Sequence, residues 1–193
     1  AFVIETLSRI TTFLLILTAI AMIMSYPLRH NNSNEMWFLP GDPNLVAFEK
    51  LQDLFGSSEY LIVGVTARDN DKDIFEYETL MMINEISTML EDHEIVEQVR
   101  SLSQYQRTYD KNGMVATDDL IEDFEELGDN PVIIENAREI IKGEELALDS
   151  IITSDLKHTR ILARTEYRAN DNSHKIKVVN DLRNFIKEKG YIQ

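Results

Sequence analysis

One stretch decides the organisation of the chain: Ile10-Thr-Thr-Phe-Leu-Leu-Ile-Leu-Thr-Ala-Ile-Ala-Met-Ile-Met-Ser-Tyr-Pro-Leu28. None of its 19 side chains is charged at pH 7. A helix rises about 1.5 Å per residue, so this stretch covers roughly 28 Å, close to the hydrocarbon thickness of a bilayer. Only a helix keeps all of its peptide groups hydrogen-bonded in lipid. Pro27 is placed to end such a helix, and Tyr26 lies where an interfacial aromatic residue is expected.

Three interpretations compete for this stretch. A core helix of a soluble protein normally shows a polar stripe, which is missing here. A cleaved signal peptide agrees with Ala19-Ile20-Ala21 and with Arg9, but the apolar run continues through Met24. We therefore predict that residues 1–28 form an N-terminal segment with a retained transmembrane helix, which makes the lipid bilayer a partner of the chain.

The remainder of the 193 residues is strongly acidic. The chain has 34 Asp and Glu against 19 Lys and Arg, and its net charge is -15. Because Glu5 and Arg9 cancel, this charge belongs to the part after the apolar stretch. A field of this sign repels phosphate and argues against nucleic acid as a partner. The absence of cysteine excludes disulfides, cysteine-ligated metals and a cysteine nucleophile.

The first half of the acidic part predicts a β-α-β unit. Residues 29–41 form a juxtamembrane linker, and the domain proper spans 42–193. Asp42-Pro43 predicts the start of a helix, with Asp as the cap and Pro at the first helical position. Tyr60–Thr66 is apolar on both faces, which is typical of a central strand. A helix ending near Glu91 and a strand at about 95–102 complete the unit.

The second half predicts a hairpin, helices and one more strand. Asn112-Gly113 is a strong turn signal between two strand-like segments. Asp118 or Asp119 is expected to cap a short acidic helix, so that about 118–143 forms a helical insertion. The alternation from His158 to Arg168 predicts a half-buried strand. Its polar side carries Arg160, Arg164, Glu166 and Arg168, and its apolar side Ile161, Ala163, Thr165 and Tyr167.

The last predicted helix runs from about 173 to 189, with Val179, Leu182 and Ile186 facing inward. This order of elements predicts an α+β protein, one transmembrane helix followed by a ferredoxin-like domain. The second β-α-β of that domain is incomplete, because it needs one more strand. We therefore expect a fragment, or the start of a longer protein.

Motifs for catalysis and metal binding are incomplete. His93-Glu94 begins like the zinc-protease motif, but Glu97 occupies the place of the second histidine. Asp69-x-Asp71-x-Asp73 begins like a calcium loop, yet neither the turn glycine nor the final glutamate follows. The sequence therefore predicts no catalytic residue, no metal site and no cofactor, and we expect the protein not to be an enzyme. No substrate-binding residue is assigned.

Two groups of polar residues have structural explanations. The acidic run from Asp118 to Glu126 is most simply a solvated helix face, and the alternative is a negative surface for cationic solutes or a partner. The four histidines are scattered, and surface or strand-end positions are expected for them. They are His30, His93, His158 and His174.

Four stretches occur in an order that matches one known family. They are the apolar helix Ile10–Leu28, the segment Phe38–Val65 with its Pro-Gly-Asp-Pro linker and Phe-Gly helix end, Val96–Leu102, and Ile151–Ile161. Together they resemble the beginning of RND-superfamily transporters, specifically the MMPL-like exporters of hydrophobic or amphiphilic solutes. The resemblance runs along nearly the whole chain.

The resemblance implies the first span and first porter domain of a larger membrane transporter driven by a proton or cation gradient. The N-terminus would be cytoplasmic, and residues after about 29 extracytoplasmic at the cell membrane. The implied partners are the remaining transmembrane helices, the second porter domain, a hydrophobic or lipidic solute and further copies in a homo-oligomer. The ion relay belongs to later helices, in agreement with the absence of charge in this span.

Two other classes compete with the exporter. One is a single-pass anchored extracytoplasmic module that binds a ligand or acts as a sensor. The other is an accessory subunit for assembly.

Overall fold

The computed structural model describes residues 2–25, 37–39, 41–55, 59–68, 72–128, 130–168 and 173–191. Most of the predicted linker, Tyr26, Pro27, Gly56 and Asp69–Asp71 lie outside these residues. The chain divides into two compact units, Ala1–Trp37 and Phe38–Gln193. The elements in chain order are α1 (Phe2–Ser25), α2 (Pro43–Phe55), β1 (Tyr60–Thr66), α3 (Tyr77–Glu91), β2 (Val96–Arg100), β3 (Gln106–Lys111), β4 (Met114–Asp119), α4 (Pro131–Lys142), β5 (His158–Thr165) and α5 (Ser173–Lys189).

Helix α1 is long and apolar enough to cross a membrane. Its 20-residue window Thr6–Ser25 has a mean hydropathy of 2.0, and none of this window is buried inside the unit. Several hydroxyls along α1 donate back to carbonyl oxygens of the preceding turn, for example from Thr11 to Leu7 at 2.9 Å and from Thr18 to Leu14 at 2.8 Å. Hydroxyls bonded in this way need no water, which suits a helix in hydrocarbon.

The main sheet has three antiparallel strands in the order β1-β5-β2. The prediction of a strand at 60–66 is confirmed, but among the described residues it is not central: β5 lies in the middle of the sheet and β1 at its edge. Tyr60 and Ile62 of β1 are 51% and 59% exposed. The apolar pattern identified β1 as a strand, but burial on both faces is not found, because the pattern contained no information about which strands pair with it.

Helix α3 packs against β2 and β5 on one face of this sheet, and α5 packs on α3. Their inward side chains belong to the same buried core as alternate residues of β5, such as Ile161 and Ala163, both 0% exposed. Within α5 the predicted inward position of Val179 is off by one residue, since Val178 is the fully buried valine. The buried contributors from the two helices are Leu80, Ile83, Ile86, Leu90, Val178 and Leu182.

Strands β3 and β4 form a separate two-stranded sheet around the predicted turn. Asn112 and Gly113 both have positive φ, 59° and 80°, which is the signature of a type I′ hairpin turn. The Gly113 amide donates to Asp110 Oδ1 at 2.7 Å and fixes the turn. The hairpin prediction is confirmed.

The predicted acidic helix after the hairpin is wrong. Asp118 and Asp119 end β4, and only a single 3₁₀ turn, Glu126–Gly128, follows. The Leu120 amide donates to the Tyr105 carbonyl at 2.9 Å, so the segment continues along the hairpin instead of coiling. Tertiary burial of its apolar residues overrides the local capping signals. The helical insertion is therefore reduced to this turn and α4.

Candidate functional site

The face of the main sheet away from α3 and α5 is uncovered in the described part of the chain. The strand register places Leu162 of β5 at its centre, opposite Ile62 on one side and Arg100 on the other. Arg160 and Arg164 flank Leu162 along β5 on the same face, because strand residues two apart point the same way. Three arginines therefore surround one leucine.

The arginines of this face differ in their contacts. Arg164 Nε lies 3.1 Å from Glu97 Oε2, and Arg160 Nε donates to the Ser150 carbonyl. The Arg100 side chain is exposed, and it has no hydrogen bond or ion pair with any residue that the structure describes. The contacts of Arg164 and Arg160 with described residues are made through Nε, and within those residues no contact of their terminal Nη groups is found.

A second candidate is an acidic cleft of about 730 Å³ between the hairpin, the 120–126 segment and α4. Its walls combine carboxylates with an apolar floor and a single arginine. The lining residues are Arg107, Tyr109, Asp118, Asp119, Leu120, Glu122, Asp123, Glu126, Ile133, Asn136 and Ile140. The acidic run is thus a cleft wall and not a helix face.

Internal bonds already occupy part of this cleft and its border. Tyr109 donates to Asp118 Oδ2 at 2.6 Å, and this bond raises the pKa of the Tyr109 hydroxyl. Arg107 lies 4.9 Å above the Tyr109 ring and 3.1 Å from Glu144 Oε1. Burial and a hydrogen bond to Glu144 raise the pKa of Tyr105 nearby. These contacts consolidate the hairpin against the body.

The described histidines have separate partners. His93 Nε2 lies 3.3 Å from Asp181 Oδ2, and His158 Nδ1 lies 3.1 Å from Thr66 Oγ1 at the start of β5. His174 Nε2 lies 3.2 Å from the Glu166 carbonyl. The strand-end prediction holds for His158, but it is wrong for His174, which is only 5% exposed because it belongs to the inward face of α5.

Asp73, the last residue of the calcium-like motif, has a structural partner instead. Its Oδ1 accepts the Phe75 amide at 2.9 Å, and its Oδ2 lies 2.8 Å from Arg138 Nε. Among the residues that the structure describes, no group of three or more His, Cys, Asp or Glu is arranged to hold a metal ion. The ion pair between Asp73 and Arg138 therefore attaches the loop that precedes α3 to α4.

No known protein family, curated protein or solved structure matches this chain. Its function is therefore argued from the sequence and from the geometry above.

Sequence reasoning found part of the uncovered face and missed the rest. The alternation in 158–168 already put Arg160 and Arg164 on one side of a strand. It gave no sign that Arg100 and Ile62 lie beside them, because they belong to distant strands. The register of β5 with β1 and β2 supplies that information.

Proposed function

We propose that this chain is the first transmembrane helix and first porter-type domain of an ion-gradient-driven RND/MMPL-like exporter of hydrophobic or amphiphilic solutes. The body after residue 29 is extracytoplasmic in this proposal. The observation that carries it is the order of the main sheet, taken together with α1.

The sheet order supports a ferredoxin-like porter domain. Strands β1 and β2 are both antiparallel to β5, so they run in the same direction with β5 between them. Helix α3 connects β1 to β2, and α5 follows β5. A split β-α-β with its second unit begun, which the resemblance implies, would have its strands in this order, and the order supports the proposal in that way.

Among the described residues no strand pairs with the outer edge of β1, which supports the expectation of a further strand. The Thr165 amide donates to the Glu59 carbonyl, and the Ala67 amide donates to the Lys157 carbonyl. Because antiparallel pairs alternate, Ile62 and Gly64 direct their backbone groups away from β5. This edge has no charge, proline or bulge to protect it, and natural proteins normally cover such an edge.

The role of this domain in the proposed exporter is conformational. The sheet and its two helices form one packed layer pair, which moves as a unit and opens or closes a cleft for the solute. Ion binding in later transmembrane helices would bias that movement. No relay residue is assigned in this chain.

The genomic reading frame that contains this sequence tests the proposal. The exporter predicts an apolar strand after α5, which pairs with the β1 edge, and then a cluster of spans that contain acidic residues. A single further span followed by a cytoplasmic signalling domain would reject the exporter in favour of the anchored sensor module. A stop codon directly after Gln193 would overturn the exporter.

A further inference from the structure

We infer that the uncovered face of the main sheet binds a single-chain amphiphile with an anionic head group, such as a fatty-acid carboxylate. This inference rests on the proposed function and names the substrate class and the site. The arginine face is defined here as Arg100, Arg160 and Arg164 with the apolar residues Tyr60, Ile62 and Leu162.

The arginine face has a charged side and an apolar side. Across the sheet the strands lie about 5 Å apart, so Arg100, Leu162 and Ile62 form one row roughly 10 Å long. Leu162 lies in the middle, and the exposed Ile62 lies at the β1 end. An anionic head beside Arg100 and an alkyl chain over Leu162 and Ile62 would match this row.

The charge of the face opposes the charge of the chain. The face carries three arginines, of which Arg164 is paired with Glu97, in a chain whose net charge is -15. An arginine binds a carboxylate through two parallel hydrogen bonds, and its terminal nitrogens suit this geometry. A neutral or cationic solute would find no such complement here.

Gly64 leaves open space on the same face. It lies in the middle of β1, opposite Arg160, and a Cβ at this position would meet no other atom within 4 Å. Glycine inside a strand weakens it and often marks a place where a ligand approaches the backbone closely. In the described residues no side chain uses this space, so a ligand chain has room beside Arg160.

The apolar residues favour an amphiphile over an acidic protein surface. Tyr60 and Ile62 are about half exposed between charged neighbours, and a purely acidic partner would leave them without an apolar counterpart. An amphiphile satisfies both parts in one molecule. A second copy that docks its acidic 118–126 segment on the arginines is the competing occupant, and the experiment tests for it.

The experiment uses the full chain in nanodiscs of zwitterionic phosphatidylcholine, with empty nanodiscs as the partition baseline. The probe is 11-(dansylamino)undecanoate, and its methyl ester is the uncharged comparison. We expect saturable fluorescence enhancement by the acid. Arg100→Gln should weaken acid binding about three- to tenfold, because one partly exposed charge-assisted contact is lost. Binding of the ester should stay unchanged.

The matched control is Arg183→Gln, which removes the same charge from an exposed position on α5. We expect it to bind the acid like the wild type. Equal weakening by Arg183→Gln and Arg100→Gln would overturn the inference, since it would show attraction to net charge alone. No binding above that of empty nanodiscs would also overturn it.

Photo-crosslinking keeps the inference testable if a variant fails to fold. A diazirine fatty acid added to the wild-type chain should label peptides of β1, β2 and β5. Labelling confined to other peptides, or concentration-dependent dimers that block labelling, would overturn the inference. These outcomes do not affect the exporter proposal, because its own test is the reading frame. If the chain binds the fatty acid but its reading frame encodes the sensor, only the exporter proposal is rejected.

Discussion

Replacement of Arg138 is expected to remove the contacts that hold α4 against the loop preceding α3. The guanidinium spans both: Nε lies 2.8 Å from Asp73 Oδ2, and Nη2 lies 3.2 Å from Asp73 Oδ1 and 3.1 Å from the Phe75 carbonyl. It also bonds Glu135 within α4. Phe75 is only 2% exposed, so the loop that Arg138 holds is anchored in the core.

The expected magnitude follows from these contacts. A hydrogen bond to a charged group contributes about 1.5–3 kcal/mol when buried. The Arg138 and Asp73 side chains are 25% and 22% exposed, so solvent screening places each contact at or below the low end of that range. We therefore expect Arg138→Gln to lower the free energy of unfolding by about 2 kcal/mol in total. The coupling to Asp73→Asn should be about 1 kcal/mol.

The assay is urea unfolding of the full chain in phosphatidylcholine nanodiscs, followed by near-UV circular dichroism. Arg138→Lys is the control, because it keeps the charge but loses the two-pronged contact with Asp73. It should recover only part of the loss. Stability of Arg138→Gln within 0.5 kcal/mol of the wild type, or additive effects of the two single variants (about 0 kcal/mol of coupling), would refute the reasoning.

Three further predictions concern the core, the hairpin and alkaline pH. Ile161→Ala should cost about 2–5 kcal/mol in urea unfolding, whereas Ile176→Ala, at a 62% exposed site, should cost less than about 1 kcal/mol. Gly113→Val should lower the midpoint of thermal unfolding, because valine is strained at φ 80°. Burial and a hydrogen bond to Glu85 raise the pKa of Tyr191 to about 12. As the pH rises, the unfolded chain therefore loses this proton before the folded chain does. The free energy of unfolding should fall by roughly 1–3 kcal/mol in total above about pH 10. In urea titrations at increasing pH, Tyr191→Phe should make this fall smaller.

Local patterns predicted the elements where burial and periodicity agree. The alternation around Ile161 and the Asn112-Gly113 turn both reflect short-range rules, and both are confirmed. The helix proposed after Asp118 is wrong because capping residues were read without the hairpin that draws Leu120 toward Tyr105. Short-range signals are weak where a long-range backbone bond competes with them.

The candidate site could be predicted only in part. Alternation along one strand places Arg160 and Arg164 together, since that rule needs only a single segment. Arg100 and Ile62 join this face only because of how three strands that are distant in sequence pair with one another. The local patterns of a single sequence do not indicate that pairing. The edge position of β1 escaped prediction for the same reason.

Cysteine labelling in intact cells tests most directly whether α1 spans the membrane and tethers the body outside. The native chain has no cysteine, so single substitutions report alone. Met114→Cys, at a 70% exposed site in the hairpin, should react with a membrane-impermeant maleimide without permeabilisation. Ser8→Cys, near the N-terminus of α1, should react only after permeabilisation. The reverse pattern, or recovery of the chain in the soluble fraction, would contradict the account.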